Sequence, residues 1–305
     1  MGFEETYSEL FGERWPGLRA ALARPDPYSV CLNPLRGDAE SVFLERVGAE
    51  GEGVAQPVPG LAGVFFRAEP FPPPEEASPA TQDPGLAPWY AMDAASVMAA
   101  RALGVEAGHR VLDLCAAPGG KAWNLAVELA DGGELVANDR SAARRARLHR
   151  VLEAMLPADL RRRVRVTGHD GARWGMHEPE AYDRVLLDAP CSSEAHVLAS
   201  DKARADWSPA RSRQLARRQY ALLAAAIDAL RPQGRVLYAT CALSPAENDG
   251  VIERTLGSRR GPRLCKLGFE GAFGEPTDHG WLILPDRTGF GPIYFALLEK
   301  REPSP

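Results

Sequence analysis

From Trp89 onward the chain alternates between apolar runs of strand length and runs of helical length, and this alternation restricts the fold more than any other feature. The strand-like runs are RVLDLC, ELVAND, RVRVTGHD, DRVLLDAP and GRVLYATC. Between them lie KAWNLAVELA, ended by Asp131-Gly132-Gly133, SAARRARLHRVLEAM, capped by Ser141, and the long run SRQLARRQYALLAAAIDAL. A further helix, DAASVMAARALG, is capped by Asp93 and precedes the first strand. Strands alternating with helices build βαβ units, so the expectation is an α/β fold with a mostly parallel sheet covered on both faces. The late runs WLILP and IYFALLEK have little helix between them, which predicts an antiparallel edge.

Upstream, YSVCLNPL reads as a strand, DAESVFLERVGAEG as a short helix begun by Asp38, and GLAGVFFRAE as another strand. The prolines of EPFPPPEEASPATQDPG remove backbone donors and fix φ, so residues 69–85 are expected to be an extended linker. The expected division is therefore a small α/β, RRM-like lead-in with its linker over 1–85 and a larger domain over 86–305.

With 305 residues and 45% hydrophobic content, the chain can bury a full core. No apolar run approaches the roughly 20 residues that span a bilayer, so no membrane role is expected. The start, MGFEETYSEL, is acidic rather than signal-like, and a cytoplasmic location is the default expectation. Five cysteines at wide spacing, with no Cys-x-x-Cys or His-x-x-x-His pair, predict reduced thiols and no metal site. A net charge of −5 argues against a uniformly basic nucleic-acid binder, although arginines crowd 144–165 and 204–218. Solvated helix faces explain each cluster alone; a phosphate track requires that they flank the active site.

In a parallel sheet, ligands bind beyond the carboxyl ends of the strands. The polar residues expected there are Asp113, Asp139, Asp170, Asp188, Cys191 and Cys241, and packing alone does not call for them. Pro118-Gly119-Gly120 lets the backbone pass close to a ligand. It lacks the spaced glycines of a dehydrogenase, and Lys121-Ala122 replaces the Lys-Ser/Thr of a P-loop. Asp139, about 20 residues beyond those glycines, is placed to accept from ribose hydroxyls, while Ser141 is available for the following cap. Asp170 suits an adenine amino group, or else a turn before Gly171. Two thiols at strand ends suit covalent chemistry, one attacking a carbon electrophile and the other helping to dismantle the adduct. The alternative for either alone is an inert buried cysteine.

DLCAAPGGK, DAPCS, and YATC followed by SPAEND, in that order, resemble the RsmB/Sun family of S-adenosylmethionine-dependent RNA cytosine-5 methyltransferases. The resemblance spans about 89–299, and the segment Cys191-Ser-Ser-Glu-Ala-His196 looks most like the family's mitochondrial rRNA and tRNA branch. It implies a Rossmann-like class I methyltransferase sheet, with S-adenosyl-L-methionine as cofactor. By resemblance, Cys241 is the nucleophile toward cytosine C6, Cys191 assists release, Asp188 holds the base edge and Lys121 supports the same polar cluster. The implied cofactor contacts are Cys115, Ala116, Ala117, Pro118, Gly119, Gly120, Lys121, Asp139, Arg144, Asp170, Gly171 and Asp188. Met92 departs from the family's usual glutamine. Glu247-Asn248 also matches, but Ser244-Pro245-Ala246-Glu247 reads as a capping box, which keeps both residues out of the catalytic set. The implied substrate is structured RNA, rRNA before tRNA, with RNA shape or an accessory protein aiding capture. The competing readings are an inactive RNA-binding ribosome assembly factor and a DNA cytosine-5 methyltransferase using Cys191.

Overall fold

A computed structural model describes residues 2–24, 29–47, 55–67, 85–258, 262–265 and 273–302. The proline-rich linker expected over 69–85 lies outside the described residues, except for Gly85. The chain forms two compact units, one of Met1–Arg24 with His169–Pro305 and one of Pro25–Gly168. The stretch 1–85 is thus divided, because its first segment belongs with the C-terminal part of the chain.

That segment holds α1 (Phe3–Phe11) and α2 (Trp15–Leu22). Phe3, Tyr7, Trp15, Leu18 and Leu22 share an apolar cluster with Val197, Leu198, Trp207, Leu243 and Leu284. The aromatic spacing of α1 places Phe3 and Tyr7 on one face, as i and i+4 positions must be.

The unit of Pro25–Gly168 begins with β1 (Ser29–Leu32), α3 (Ala39–Val47), β2 (Gln56–Pro57) and β3 (Val64–Phe66). A fourth strand, β4 (Trp89–Ala91), completes an antiparallel sheet in the order β2-β3-β1-β4. The small sheet therefore reaches past residue 85 for one edge. Next come α4 (Ala94–Ala102), β5 (Arg110–Asp113), α5 (Gly120–Glu128), β6 (Glu134–Asn138), α6 (Ala142–Met155) and β7 (Val164–Thr167). Strands β5, β6 and β7 are parallel neighbours in that order. Asp93 caps α4 by accepting from the Ala95 amide at 2.7 Å, and Ser141 caps α6 by accepting from the Arg144 amide at 3.4 Å. Arg163 donates to the Leu129 and Ala130 carbonyls at 2.8 and 2.7 Å, closing the end of α5. This arginine is structural, whereas Arg147, Arg150, Arg161 and Arg162 are exposed.

In the other unit, β8 (Tyr182–Asp188) pairs in parallel with β9 (Leu230–Thr240), joined through the long helix Pro209–Ala229. Val185, Leu186 and Leu187 are fully buried in sequence, the mark of a strand covered on both faces. The long helix begins at Pro209, buries Leu222, Leu223, Ala226 and Ala229, and leaves Arg211, Arg213, Arg217 and Arg218 exposed. Beyond it lie β10 (Arg263–Leu264), β11 (Glu275–Pro276), β12 (Trp281–Ile283) and β13 (Ile293–Glu299). Strand β13 runs antiparallel to β9, and β12 and β11 continue the antiparallel edge.

The capping box expected at Ser244–Glu247 does not form. Residues 245–248 make a turn, and the following helix runs over Asp249–Leu256 with Asn248 as its N-cap. The side chain of Glu247 is directed instead at the segment after β8, where it accepts from the Ser192 amide at 3.0 Å.

Leu186→Ala, at a fully buried position on β8, is expected to lower stability by about 2–5 kcal/mol, whereas Leu10→Ala should stay within about 0.5 kcal/mol. Denaturant midpoints of the two variants test the contrast.

Candidate active site

Two constellations stand at strand ends, one in each unit. In the unit of Pro25–Gly168, the chain leaves β5 through Cys115, Ala116, Ala117 and Pro118 and enters α5 at Gly119-Gly120. The segment is tied to β6 by the Ala116 amide on the Asn138 carbonyl at 2.8 Å, and by the Asn138 side-chain amide on the Leu114 carbonyl at 3.1 Å. Gly119 has φ +126°, and a Cβ there would stand 3.0 Å from the Val151 Cβ. At Gly120 the same atom would lie 2.7 Å from the Tyr90 ring. Both glycines are therefore required by backbone conformation or by close approach.

Asp139 follows β6 and is 4% exposed. One carboxylate oxygen accepts from the Ser141 amide at 2.9 Å, while Oδ2 is buried with no hydrogen-bond partner. The Arg144 guanidinium stands 3.2 Å from that oxygen, within ion-pair reach but outside hydrogen-bond geometry. Arg144 also donates to the Ala117 carbonyl, so it links the acid to the loop. Its neighbour Arg145 turns away, donating to the backbone carbonyls of Asp139 and Arg140 at 2.7 and 3.0 Å. Lys121, in the first turn of α5, donates to the Ser96 hydroxyl at 3.0 Å.

A buried carboxylate oxygen without a donor is costly unless a ligand supplies one. Together with the glycine passage, it suits the ribose hydroxyls of a nucleoside, so these residues fit S-adenosylmethionine.

In the other unit, Asp188 ends β8, Cys191 lies three residues on, and Cys241 directly follows β9. Both cysteines are half-buried free thiols, with their sulfurs 2.6 Å apart. Either sulfur can donate in that contact; the surroundings decide which does. Ser193, held in a left-handed conformation at φ +53°, also acts to lower the Cys241 thiol. The hydrogen bond from Cys191 holds the Cys241 thiol below its ordinary value against the opposing effect of burial, with Ser193 adding to the shift. Cys191 is pushed well up by the same hydrogen bond, by burial and by the Asp188 charge. The pair is thus uneven, with Cys241 the more acidic thiol and Cys191 the one that better keeps its proton.

Two fully buried carboxylates hold this geometry, Glu194 and Glu247. Glu247 Oε2 accepts from the Ser192 amide and, at 2.8 Å, from the Gln219 side-chain amide, which also donates to the Pro190 carbonyl at 3.0 Å. Glu194 Oε2 accepts from the Leu243 amide at 2.9 Å, and burial pushes its carboxyl up. Asn248 accepts from the Thr240 hydroxyl at 2.6 Å and donates to the Ala242 carbonyl at 2.9 Å, bracketing Cys241. Sequence reasoning set Glu247 and Asn248 aside as a cap and passed over Glu194, Ser193 and Gln219. An acid directly after a Cys-Ser-Ser run was the available signal for Glu194; Gln219 had none.

Asp170 is exposed and accepts from the Ala172 amide at 3.3 Å, capping the short turn that begins at Gly171. That is the turn role weighed for it above. Among the described residues, no group of His, Cys, Asp and Glu could hold a metal ion, and no helix is long and apolar enough to cross a membrane.

The family model of the 16S rRNA methyltransferases RsmB/F matches residues 100–299. The Mus musculus 5-cytosine rRNA methyltransferase NSUN4 is 34% identical over 340 residues, covering 98% of this chain and 88% of the mouse protein. The Danio rerio mitochondrial tRNA (cytosine(34)-C(5))-methyltransferase is 34% identical over 325 residues, covering 98% of this chain and 86% of that protein. A methyltransferase homolog from Pyrococcus horikoshii superimposes with a TM-score of 0.77 at 24% identity, over 97% of this chain and 93% of its own. That likeness identifies the fold as the Rossmann-like class I methyltransferase arrangement, mostly parallel with an antiparallel edge and an N-terminal lead-in.

Alkylation by iodoacetamide tests the polarity of the thiol pair. Cys241 should react at lower pH than Cys191, because its pKa is lowered and its neighbour's raised. Removing the donor in Cys191→Ala should move the Cys241 profile toward alkaline pH, as read by peptide mass spectrometry.

Proposed function

This chain belongs to the RsmB/F methyltransferase family, and we propose that it methylates C5 of a cytosine in structured RNA, rRNA before tRNA, through a covalent bond between Cys241 and C6 of the base. Its class is S-adenosylmethionine-dependent RNA cytosine-5 methyltransferase. The observation that carries the covalent route is the 2.6 Å sulfur contact with Cys241 on the thiolate side.

Cytosine C5 is a poor nucleophile until a group adds at C6. The Cys241 thiolate adds there, breaking the 5,6 double bond and leaving electron density on C5. Asp188, at the end of β8, holds the amino and N3 edge and steadies the charge that develops as the adduct forms. S-adenosylmethionine supplies an electrophilic methyl group when bound. Residues Cys115 to Lys121, Asp139 and Arg144 hold it, with Asp139 Oδ2 taking the ribose hydroxyls; Asp170, Gly171 and Asp188 complete the proposed contacts. After C5 is methylated, its proton passes to solvent water, the C5–H electron pair re-forms the 5,6 double bond, and the C6–sulfur bond breaks to return Cys241 as thiolate. Cys191, protonated and adjacent to Cys241, assists that release.

The second thiol, Cys241 after Thr240 and in contact with Cys191, argues against the DNA-methyltransferase reading, in which the Pro-Cys sulfur attacks. The intact thiol pair and the buried Asp139 oxygen left without a hydrogen bond argue against an inactive assembly factor.

Cys191→Ala is expected to accumulate a covalent protein–RNA adduct, and Cys241→Ala to form neither adduct nor product; denaturing gels of labelled RNA separate these outcomes. Two active variants, or exchanged phenotypes, would overturn the roles. Asp139→Ala should weaken cofactor binding about tenfold or more, the cost of a charge-assisted hydrogen bond, with thiol alkylation unchanged. Calorimetric titration with S-adenosylmethionine reads the first quantity and peptide mass spectrometry the second. Bisulfite sequencing of RNA from cells with and without the gene identifies the cytosine, and a mark lost from tRNA alone would reverse the rRNA preference.

A further inference from the structure

Glu194 joins the two segments that carry the thiols. Its Oε1 accepts from the Ser192 hydroxyl, next to Cys191, and its Oε2 accepts from the Leu243 amide, two residues beyond Cys241. A third donor reaches it from the far end of the chain: the Tyr7 hydroxyl, on α1, donates to Oε1 at 2.6 Å. Tyr7 is 1% exposed, and its ring lies within aromatic contact of Phe3, Trp15 and Trp207, with centroids at 4.9, 5.5 and 5.6 Å. Leu243 is packed in the same apolar cluster as α1 and α2. The helix pair is anchored in turn by Arg14, which pairs with Asp286 and Glu275 at 2.6 Å each.

A tyrosine buried this deeply cannot touch RNA, and its hydroxyl donates to a carboxylate that spans both thiol segments. We propose that Tyr7 and Glu194 are positioning residues of the methyltransferase, through which the N-terminal helix pair sets the spacing of Cys191 and Cys241. The proposal rests on the thiol chemistry assigned above. Glu194 itself is no candidate base, because it is fully buried with both oxygens engaged. Its role is to keep the Cys191 segment and the Cys241 segment in register, so that one sulfur donates to the other. Tyr7 fixes the rotamer of Glu194 from a rigid aromatic box, which is how supporting side chains hold reacting groups to a fraction of an ångström.

The test uses Tyr7→Phe, which keeps the ring and loses the hydroxyl, Glu194→Gln, which keeps the shape and loses the acceptor facing the Leu243 amide, and the double variant. Steady-state methylation of RNA should show kcat lowered about tenfold in Tyr7→Phe, with KM for RNA and for S-adenosylmethionine within about twofold of wild type, since misplacement penalises the reacting geometry and not binding. Iodoacetamide alkylation, which needs no RNA, should show the Cys241 profile moved toward alkaline pH and its preference over Cys191 reduced. The double variant should be no worse than Glu194→Gln alone, because the two residues act in series. Wild-type kcat and an unmoved alkylation profile in Tyr7→Phe would overturn the proposal. A loss confined to KM for RNA would also overturn it, by assigning the helices to RNA capture, and additive losses would show that Tyr7 does not act through Glu194. If the wild-type protein methylates no RNA, the parent reading fails while the alkylation arm still decides the positioning claim.

Discussion

The two buried carboxylates beside the thiol pair are the constraint on which the site depends. An ionisable group removed from water is costly unless donors reach it; Glu194 is engaged through both oxygens and Glu247 through Oε2, by donors drawn from distant parts of the chain. Those donors are the amides of Ser192 and Leu243, the Gln219 side chain and the Tyr7 hydroxyl. Meeting their requirements brings the segment after β8 and the segment after β9 to a single separation, and the sulfurs come into contact as a result.

Once in contact, two chemically equivalent thiols no longer behave alike. The contact between the sulfurs lowers the pKa of Cys241 and raises that of Cys191. The nearby Asp188 charge acts to raise both thiols. The roles proposed for the two thiols thus rest on placement. The glycine passage after β5 in the other unit obeys a different requirement: Gly119 and Gly120 lack Cβ atoms because Val151 and Tyr90 occupy that space. Arg144 then ties the loop carbonyl to the acid that follows β6.

Much of this was legible in the residues. The strands and helices after Trp89, the caps at Asp93 and Ser141, and the parallel and antiparallel pairings follow from periodicity and turn chemistry, which act locally. The Ser244–Glu247 pattern misled for an equally physical reason. A local cap gains Glu247 one exposed hydrogen bond, whereas the folded chain offers it two buried donors, and the tertiary contacts win. Adjacent arginines could not be told apart, because only the position of the Ala117 carbonyl distinguishes Arg144 from Arg145.

By itself the sequence determined the α/β alternation, the positions of the polar residues at strand ends and the presence of two thiols, since each depends on neighbours a few residues away. Only the tertiary structure decided that α1 packs beside the thiol segments, that Tyr7 reaches across 187 positions to Glu194, and which thiol is the more acidic. Those outcomes depend on burial and on hydrogen-bond partners remote along the chain, and no local pattern of residues records where such partners come to lie.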